Sequence, residues 1–284
     1  MRSPSWWPSF VVMFACCAVL PGQQKSSGGK GKAKGDAAAA AAQPVAPPKD
    51  DAITAKDPVV VAIDKLHKAK LSKKAADWRT RMPPPPAVTF SPGRDYRWHV
   101  ETSVGTLVVT LLPDAAPKHC ASVIHLARAG FYDGLWFPRV LKGFMAQGGS
   151  PDNTQSGNAG YSLDGEFATG QKHDKPGALS AANSGAPNTD GSQFFLTFVP
   201  TPHLDGLHTV HGFVTEGLEV LQAIEARGVE KDGEPLPEKV TIVRTWITVV
   251  AKPDAKADAE ASDAKGKDGK PAEPPKNPSG QPKR

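Results

Sequence analysis

The chain has 284 residues, 28 Pro, 27 Gly and a formal net charge of +5. With both ends poor in aromatics, that composition leaves room for one good core and excludes a second. Many of the lysines sit in Lys/Ala/Gly/Pro tracts without interleaved aromatics, so the charge reads as solvated linker and no nucleic-acid partner is expected.

In chain order, an apolar run from Phe10 to Leu20 follows Arg2 and a short Trp/Pro segment. It is too short for a membrane span of about 20 residues, so residues 1–20 read as an export signal to the periplasm or cell envelope. Phe14-Ala15-Cys16-Cys17 loosely resembles a lipoprotein site; beside a plain cleaved signal, membrane attachment is expected only through a lipid there or through an uncleaved signal. From Pro21 to Asp57 almost no large apolar side chain occurs, and a flexible linker is predicted. Its Gly28 to Gly35 stretch lacks the preceding strand and the terminal Lys-Ser/Thr of a phosphate loop. Asp57-Pro58 then reads as an N-cap with Pro at the first helical position. Val60, Ile63, His67, Leu71 and Trp78 extend the pattern as an amphipathic helix over 58–82. A Pro-rich spacer covers 83–93.

The folded domain is placed at 94–251. Tyr96 to Thr102 and Thr106 to Leu112 form a hairpin, and Asp114 to Ala129 a helix stopped by Gly130. Short strands follow at Phe137 to Val140, Phe144 to Gln147, Ala178 to Ala182, Gln193 to Phe198 and Gly212 to Val214. A second helix runs through Leu218, Leu221 and Ile224 to Gly228, and Val240 to Val250 closes the domain. Many short strands with few helices predict a closed antiparallel barrel. Residues 252–284 return to Lys, Asp, Ala and Pro, a disordered tail. Of the three cysteines, Cys16 and Cys17 fall in the signal. Cys120 is thus alone in the domain, a buried thiol among Val123, Ile124 and Leu126, and no disulfide framework is expected.

Gly143-Phe-Met-Ala-Gln-Gly149 and Gly191-Ser-Gln-Phe-Phe195 set Met and Phe beside amide side chains, the make-up of a peptide pocket. Phe144, Met145, Phe194, Phe195 and Phe198 also suit an ordinary core. Gln147, Asn183, Gln193 and the donor fork of Arg139 require polar partners, which a peptide backbone supplies. His203, His208 and His211 cluster without the Cys, Glu or helical spacing of a zinc set, so no metal and no cofactor is expected. Gly191-Ser192-Gln193 lacks the second Gly of a nucleophile elbow, which excludes that hydrolase class.

Taken in order, with Phe137-Pro-Arg139, Ala182-Asn183 and His203-Leu-Asp-Gly-Leu-His208, these segments resemble the cyclophilins, the prolyl cis-trans isomerases that cyclosporin inhibits. The resemblance spans Tyr96 to Val250. It implies an eight-stranded barrel with a helix over each end, acting as a rotamase and folding helper on proline-containing polypeptides, without cofactor and as a monomer. It makes Arg139 the catalytic guanidinium and lines the proline pocket with Phe144, Met145, Phe195, Leu204 and His208. Gln147 and Asn183 then contact the substrate backbone, with Ala182, Ser184 and Gln193 along the groove. Pro138 stands where the family commonly has His, and His203 where cyclosporin-sensitive members have Trp. Ser184-Gly-Ala-Pro-Asn188 is one residue longer than the usual turn. The alternative from another class is a proline-peptide binder or envelope scaffold without catalysis, for which Arg139 has no role.

Overall fold

The computed structural model describes residues 48–252 apart from Pro187. The export signal, most of the linker and all of the tail after Lys252 lie outside the described residues.

One eight-stranded sheet contains β1 (Arg94–Thr102), β2 (Gly105–Leu111), β3 (Arg139–Leu141), β4 (Met145–Gly148), β5 (Ala178–Ala181), β6 (Phe194–Thr197), β7 (Val210–Glu216) and β8 (Ile242–Ala251). Its order is β3-β4-β6-β5-β7-β2-β1-β8, and each of these pairings is antiparallel. Strand alternation sends Tyr96, Trp98 and Val100 of β1 into the core. Arg97, His99 and Glu101 of the same strand pair on the other face with Thr248, Trp246 and Arg244 of β8.

No ladder joins β3 to β8, so the sheet is not closed by strand pairing into the expected barrel. β3 has three residues and ends at the Lys142-Gly143 turn, too short to reach a closing strand. The segment just before β3 meets the start of β8, with an antiparallel bridge between Trp136 and Thr241. Gly134 and Phe137 donate to the carbonyls of Ile242 and Val240, and Ile242 donates to that of Leu135.

Two helices cover the sheet as expected, α2 (Pro117–Arg128) against β1, β7 and β8 and α3 (Leu218–Glu225) against β2, β3 and β4. Gly130, at φ +64, ends α2 with its N–H on the Ala127 carbonyl, a left-handed backbone that glycine adopts without steric cost. A third helix, α1 (Pro58–Lys70), lies on α2 and belongs to the same core. Its N-cap is as the sequence predicts, with the Asp57 carboxylate accepting from the Val59 and Val60 N–H groups. Val59, Val60 and Ile63 are fully buried, each stabilising by roughly 1.5–3 kcal/mol.

Three boundaries expected in this region are corrected. The linker does not run to Asp57, since Thr54 is buried in a 3-10 turn (Thr54–Lys56) and its hydroxyl accepts from Val249 N–H on the β8 edge. The helix expected over 58–82 stops at Lys70. Beyond it, Trp78 stands edge-on to Phe131 and Arg79 donates to the carbonyls of Phe131 and Asp133, contacts that a continuous helix would forfeit. Residues 83–93 do not stand free as a spacer. The Pro83 carbonyl accepts from His125, and Phe90 packs edge-on against Tyr96.

This covering strap explains why α2 is buried on its polar side as well. Ser122 bonds the Tyr161 hydroxyl at 2.7 Å. His125 donates through Nε2 to Pro83, so its neutral ring accepts at Nδ1 from His67 at 2.8 Å. Burial, then the neighbouring His67, pushes His125 from 6.5 down to about 4.

A chain beginning at Tyr96 is expected to melt well below one beginning at Pro48, and Ile63→Ala to remove about 2–5 kcal/mol of unfolding free energy. Matching thermal melts of the two chains would show that the strap adds nothing. The folded pKa of His125 lies below its unfolded value, so its contribution is present above about pH 6.5 and is lost as the pH falls toward 4. His125→Gln should flatten that acid slope by roughly 3 kcal/mol, checked by denaturant titrations at pH 7 and 4.5; an unchanged slope would refute it.

Candidate functional site

The site starts from strand register. In β3 and β4 Arg139 pairs with Gln147 and Leu141 with Met145; in β4 and β6 Gln147 pairs with Phe195. Alternation sends Val140, Ala146, Phe194 and Leu196 into the core and leaves Arg139, Met145, Gln147 and Phe195 on the opposite face. Phe198 also joins the core. The shared run of aromatics is thus divided, Phe194 and Phe198 inside and Phe195 at the site.

Those four groove-facing side chains line a pocket of about 230 Å³. Phe144, Leu204 and His208 complete its apolar wall, and Ala182 and Asn183 form its rim toward β5. Pockets for drug-sized ligands are about 300–1,000 Å³, so this one suits a single ring and the adjoining backbone. Nine of the sequence-predicted residues therefore converge on one cavity.

Ser184 and Gln193 do not reach that cavity. They line a neighbouring one of about 240 Å³ that shares Gln147, Ala182 and Asn183 with the first. His203 is exposed in a 3-10 turn (Pro202–Leu204), stacked on the ring of Phe144 at 5.7 Å, so it backs the wall from outside.

Polar contacts fix the orientation of the pocket groups. Arg139 Nη1 donates to Gln147 Oε1 at 3.4 Å, Gln147 Nε2 to Gln193 Oε1 at 2.9 Å, and Gln193 Nε2 to the Gly157 carbonyl at 2.8 Å. The other side of the guanidinium is held by Asp232, with Nε on Oδ1 at 2.9 Å and Nη2 on Oδ2 at 2.5 Å. That contact holds the Asp232 carboxyl below its usual range. Asn183 spends its side chain on the protein, donating to Asp190 and to the Leu207 carbonyl and accepting from Gly185 N–H.

Sequence reasoning missed three supporting residues. His173 stacks at 5.9 Å against Phe195, its Nδ1 donating to Asp205 and its Nε2 accepting from Ser180. Burial holds its pKa down despite Asp205. Asp190 is buried between Asn183, Thr209 and His119, and His119 also bonds Glu166. Burial opposes protonation of His119, but the two carboxylates outweigh it and raise its pKa. Asp232, 93 residues from Arg139 in sequence, carried no motif.

The hydroxyl and thiol that could serve as nucleophiles are engaged elsewhere. The buried Ser192 hydroxyl donates to the Gly149 carbonyl, and the buried Cys120 thiol, pushed up by burial, donates to that of His211. Among the described residues no group of three His, Cys, Asp or Glu is placed to hold a metal ion.

A family model described as cyclophilin type peptidyl-prolyl cis-trans isomerase/CLD matches residues 97–247. The chain belongs to that family. It is 42% identical over 151 residues to peptidyl-prolyl cis-trans isomerase-like 1 of Neurospora crassa, covering 52% of this chain and 91% of that protein. It is 43% identical over 142 residues to the isomerase cyp15 of Rhizopus delemar, a match that spans 49% of this chain but only 22% of that longer protein. The solved structure of a Cryptosporidium parvum cyclophilin-type isomerase, in the presence of the dipeptide Ala-Pro, is similar with TM-score 0.51 and 32% identity, covering 53% of this chain and 98% of that one. These likenesses support peptidyl-prolyl isomerase activity for this cyclophilin. The strap of residues 48–93 lies outside the matched region.

The stacked but exposed His203 yields a prediction. An indole at this position offers more apolar face and one N–H donor, so His203→Trp is expected to tighten cyclosporin inhibition more than it changes turnover of a proline tetrapeptide. Inhibition constants for parent and variant check it, and an unchanged inhibitor affinity would show that this position does not border the groove.

Proposed function

We propose that this cyclophilin holds a proline ring in the 230 Å³ pocket and uses the Arg139 guanidinium to promote rotation about the Xaa-Pro bond. The reading is carried by one observation: a guanidinium braced on two sides sits in the wall of a cavity of that size, facing the apolar side chains of Phe144, Met145, Phe195 and Leu204. The rotational barrier of about 18–20 kcal/mol comes from donation of the nitrogen lone pair into the carbonyl. An N–H donor aimed at the prolyl nitrogen competes for that lone pair and weakens the partial double bond. No proton need leave and no covalent intermediate need form. Met145, Phe144 and Phe195 shield the contact from water, which strengthens the electrostatic effect. Gln147 and the Asn183 main chain anchor the peptide beside the ring, while Ser184 and Gln193 meet the residues further along it. Ala182, Leu204 and His208 complete the walls, with His203 at the outer edge.

The substrates are proline-containing polypeptides, and the related structure studied with Ala-Pro supports that class. We expect the protein to act as a monomer. We place the protein in the cell envelope as an exported folding helper on the strength of the Phe10 to Leu20 run alone; the relatives described above are eukaryotic. A binder without catalysis would need the apolar walls but no guanidinium over the prolyl nitrogen.

Arg139→Ala is expected to lower kcat/KM for a proline tetrapeptide by tenfold or more, about 1.4 kcal/mol, with the melting temperature retained. Equal activity at matched folded concentration would refute the catalytic role and favour the binder.

A further inference from the structure

The guanidinium of Arg139 is only partly covered, and a long side chain at such a site has several rotamers to lose before it can act. Gln147 alone holds it weakly, through one hydrogen bond at 3.4 Å. The strong hold comes from the loop after α3. There Asp232 grips two nitrogens with two oxygens, the paired planar geometry in which Arg and carboxylate bind best.

That loop is itself tied to the strand carrying Arg139. Val229 donates to the Val140 carbonyl and Lys142 to the Val229 carbonyl, both at 3.0 Å, giving a parallel bridge between Leu141 and Val229. Glu225 accepts from Gly143 N–H at 2.7 Å, and Lys142 pairs with Glu230 at 3.2 Å. Past the bridge, Gly233 turns the chain at φ +85, and its N–H donates to Asp232 Oδ1. The carboxylate is therefore registered to β3 by backbone, and its place does not depend on a chance surface encounter.

We propose that Asp232 is a positioning residue of the isomerase site: its fork on Nε and Nη2 fixes the plane of the Arg139 guanidinium and leaves Nη1 turned toward Gln147 and the pocket. The proposal rests on the role given above to Arg139. Its physical content is orientation. A donor already aimed loses no rotamer freedom in the transition state, and a loosened one is misaimed for part of the time. The opposite effect, a carboxylate that blunts catalysis by neutralising the guanidinium, predicts faster turnover when Asp232 is removed.

The test is tetrapeptide isomerisation by the full chain, with kcat and KM separated, for Asp232→Ala, Asp232→Asn and Asp232→Glu, each also in an Arg139→Ala background. Asp232→Ala should lower kcat by about tenfold with KM and melting temperature nearly unchanged, because Asp232 lies half-exposed in a loop. Asp232→Asn should lose most of the same activity, since its amide opposes one guanidinium N–H, and Asp232→Glu should recover part of it. In the Arg139→Ala background none of the three should cost anything further. An unchanged or raised kcat for Asp232→Ala, with Arg139→Ala impaired, would overturn the positioning role and leave the site reading intact. A full Asp232 effect without Arg139 would also overturn it. If Arg139→Ala is as active as the parent, the proposal falls together with the reading beneath it.

Discussion

The groove depends on the antiparallel register of three short strands. With Arg139 opposite Gln147 and Gln147 opposite Phe195, a donor fork, an amide and an aromatic wall share one face. A slip of one residue would send Val140, Ala146 and Phe194 into the groove and bury the guanidinium, at a cost no neighbouring contact could offset. The register is held from behind by the core that Phe194, Leu196 and Trp98 build, with Trp98 and Phe194 edge to face at 5.1 Å. Core packing and site geometry are thus one constraint, read from opposite faces of the same strands.

From that register a chain of hydrogen bonds runs through the groove, from the Asp232 carboxylate through Arg139, Gln147 and Gln193 to the Gly157 carbonyl. Arg139 donates both ways, back to Asp232 and on to Gln147, and from there each amide donates to the next, which orders side chains that would otherwise rotate freely. A second network, through Asn183, Asp190, His119 and Glu166, fixes the opposite wall from inside the protein. Both ring nitrogens of His119 face carboxylates there, which raise its pKa against burial, and those contacts hold Asp190 and Glu166 below the usual range although burial opposes it. The groove is therefore built on side chains held in place from behind.

The strap of residues 48–93 adds a feature that the family match does not cover. It shields the β8 edge through Thr54 and closes the polar side of α2 through α1 and Pro83. An uncovered strand edge invites pairing with other chains. Part of the stability of this isomerase thus comes from a segment remote from its chemistry, with an acid sensitivity set by the buried His125 beside the half-buried His67.

The sequence by itself determined the eight strands within a few residues, the two covering helices, the Asp57 cap and nine residues of one pocket, because each rests on local periodicity, turn chemistry or an ordered motif. It did not determine whether strand pairing closes the sheet, for closure depends on how far the short β3 reaches. Nor did it show the break after Lys70, where Trp78 and Arg79 gain more from Phe131 and Asp133 than from another turn of helix. His203 and Ser184 sit in the right segments, yet their distance from the proline pocket is set by loop paths that carry no period. Asp232 and His173 were invisible for the same reason: a lone Asp before Gly reads as a turn and a lone His as a surface residue. Only the folded chain brings one against Arg139 and the other against Phe195, because such pairings follow from backbone contacts between segments far apart in sequence.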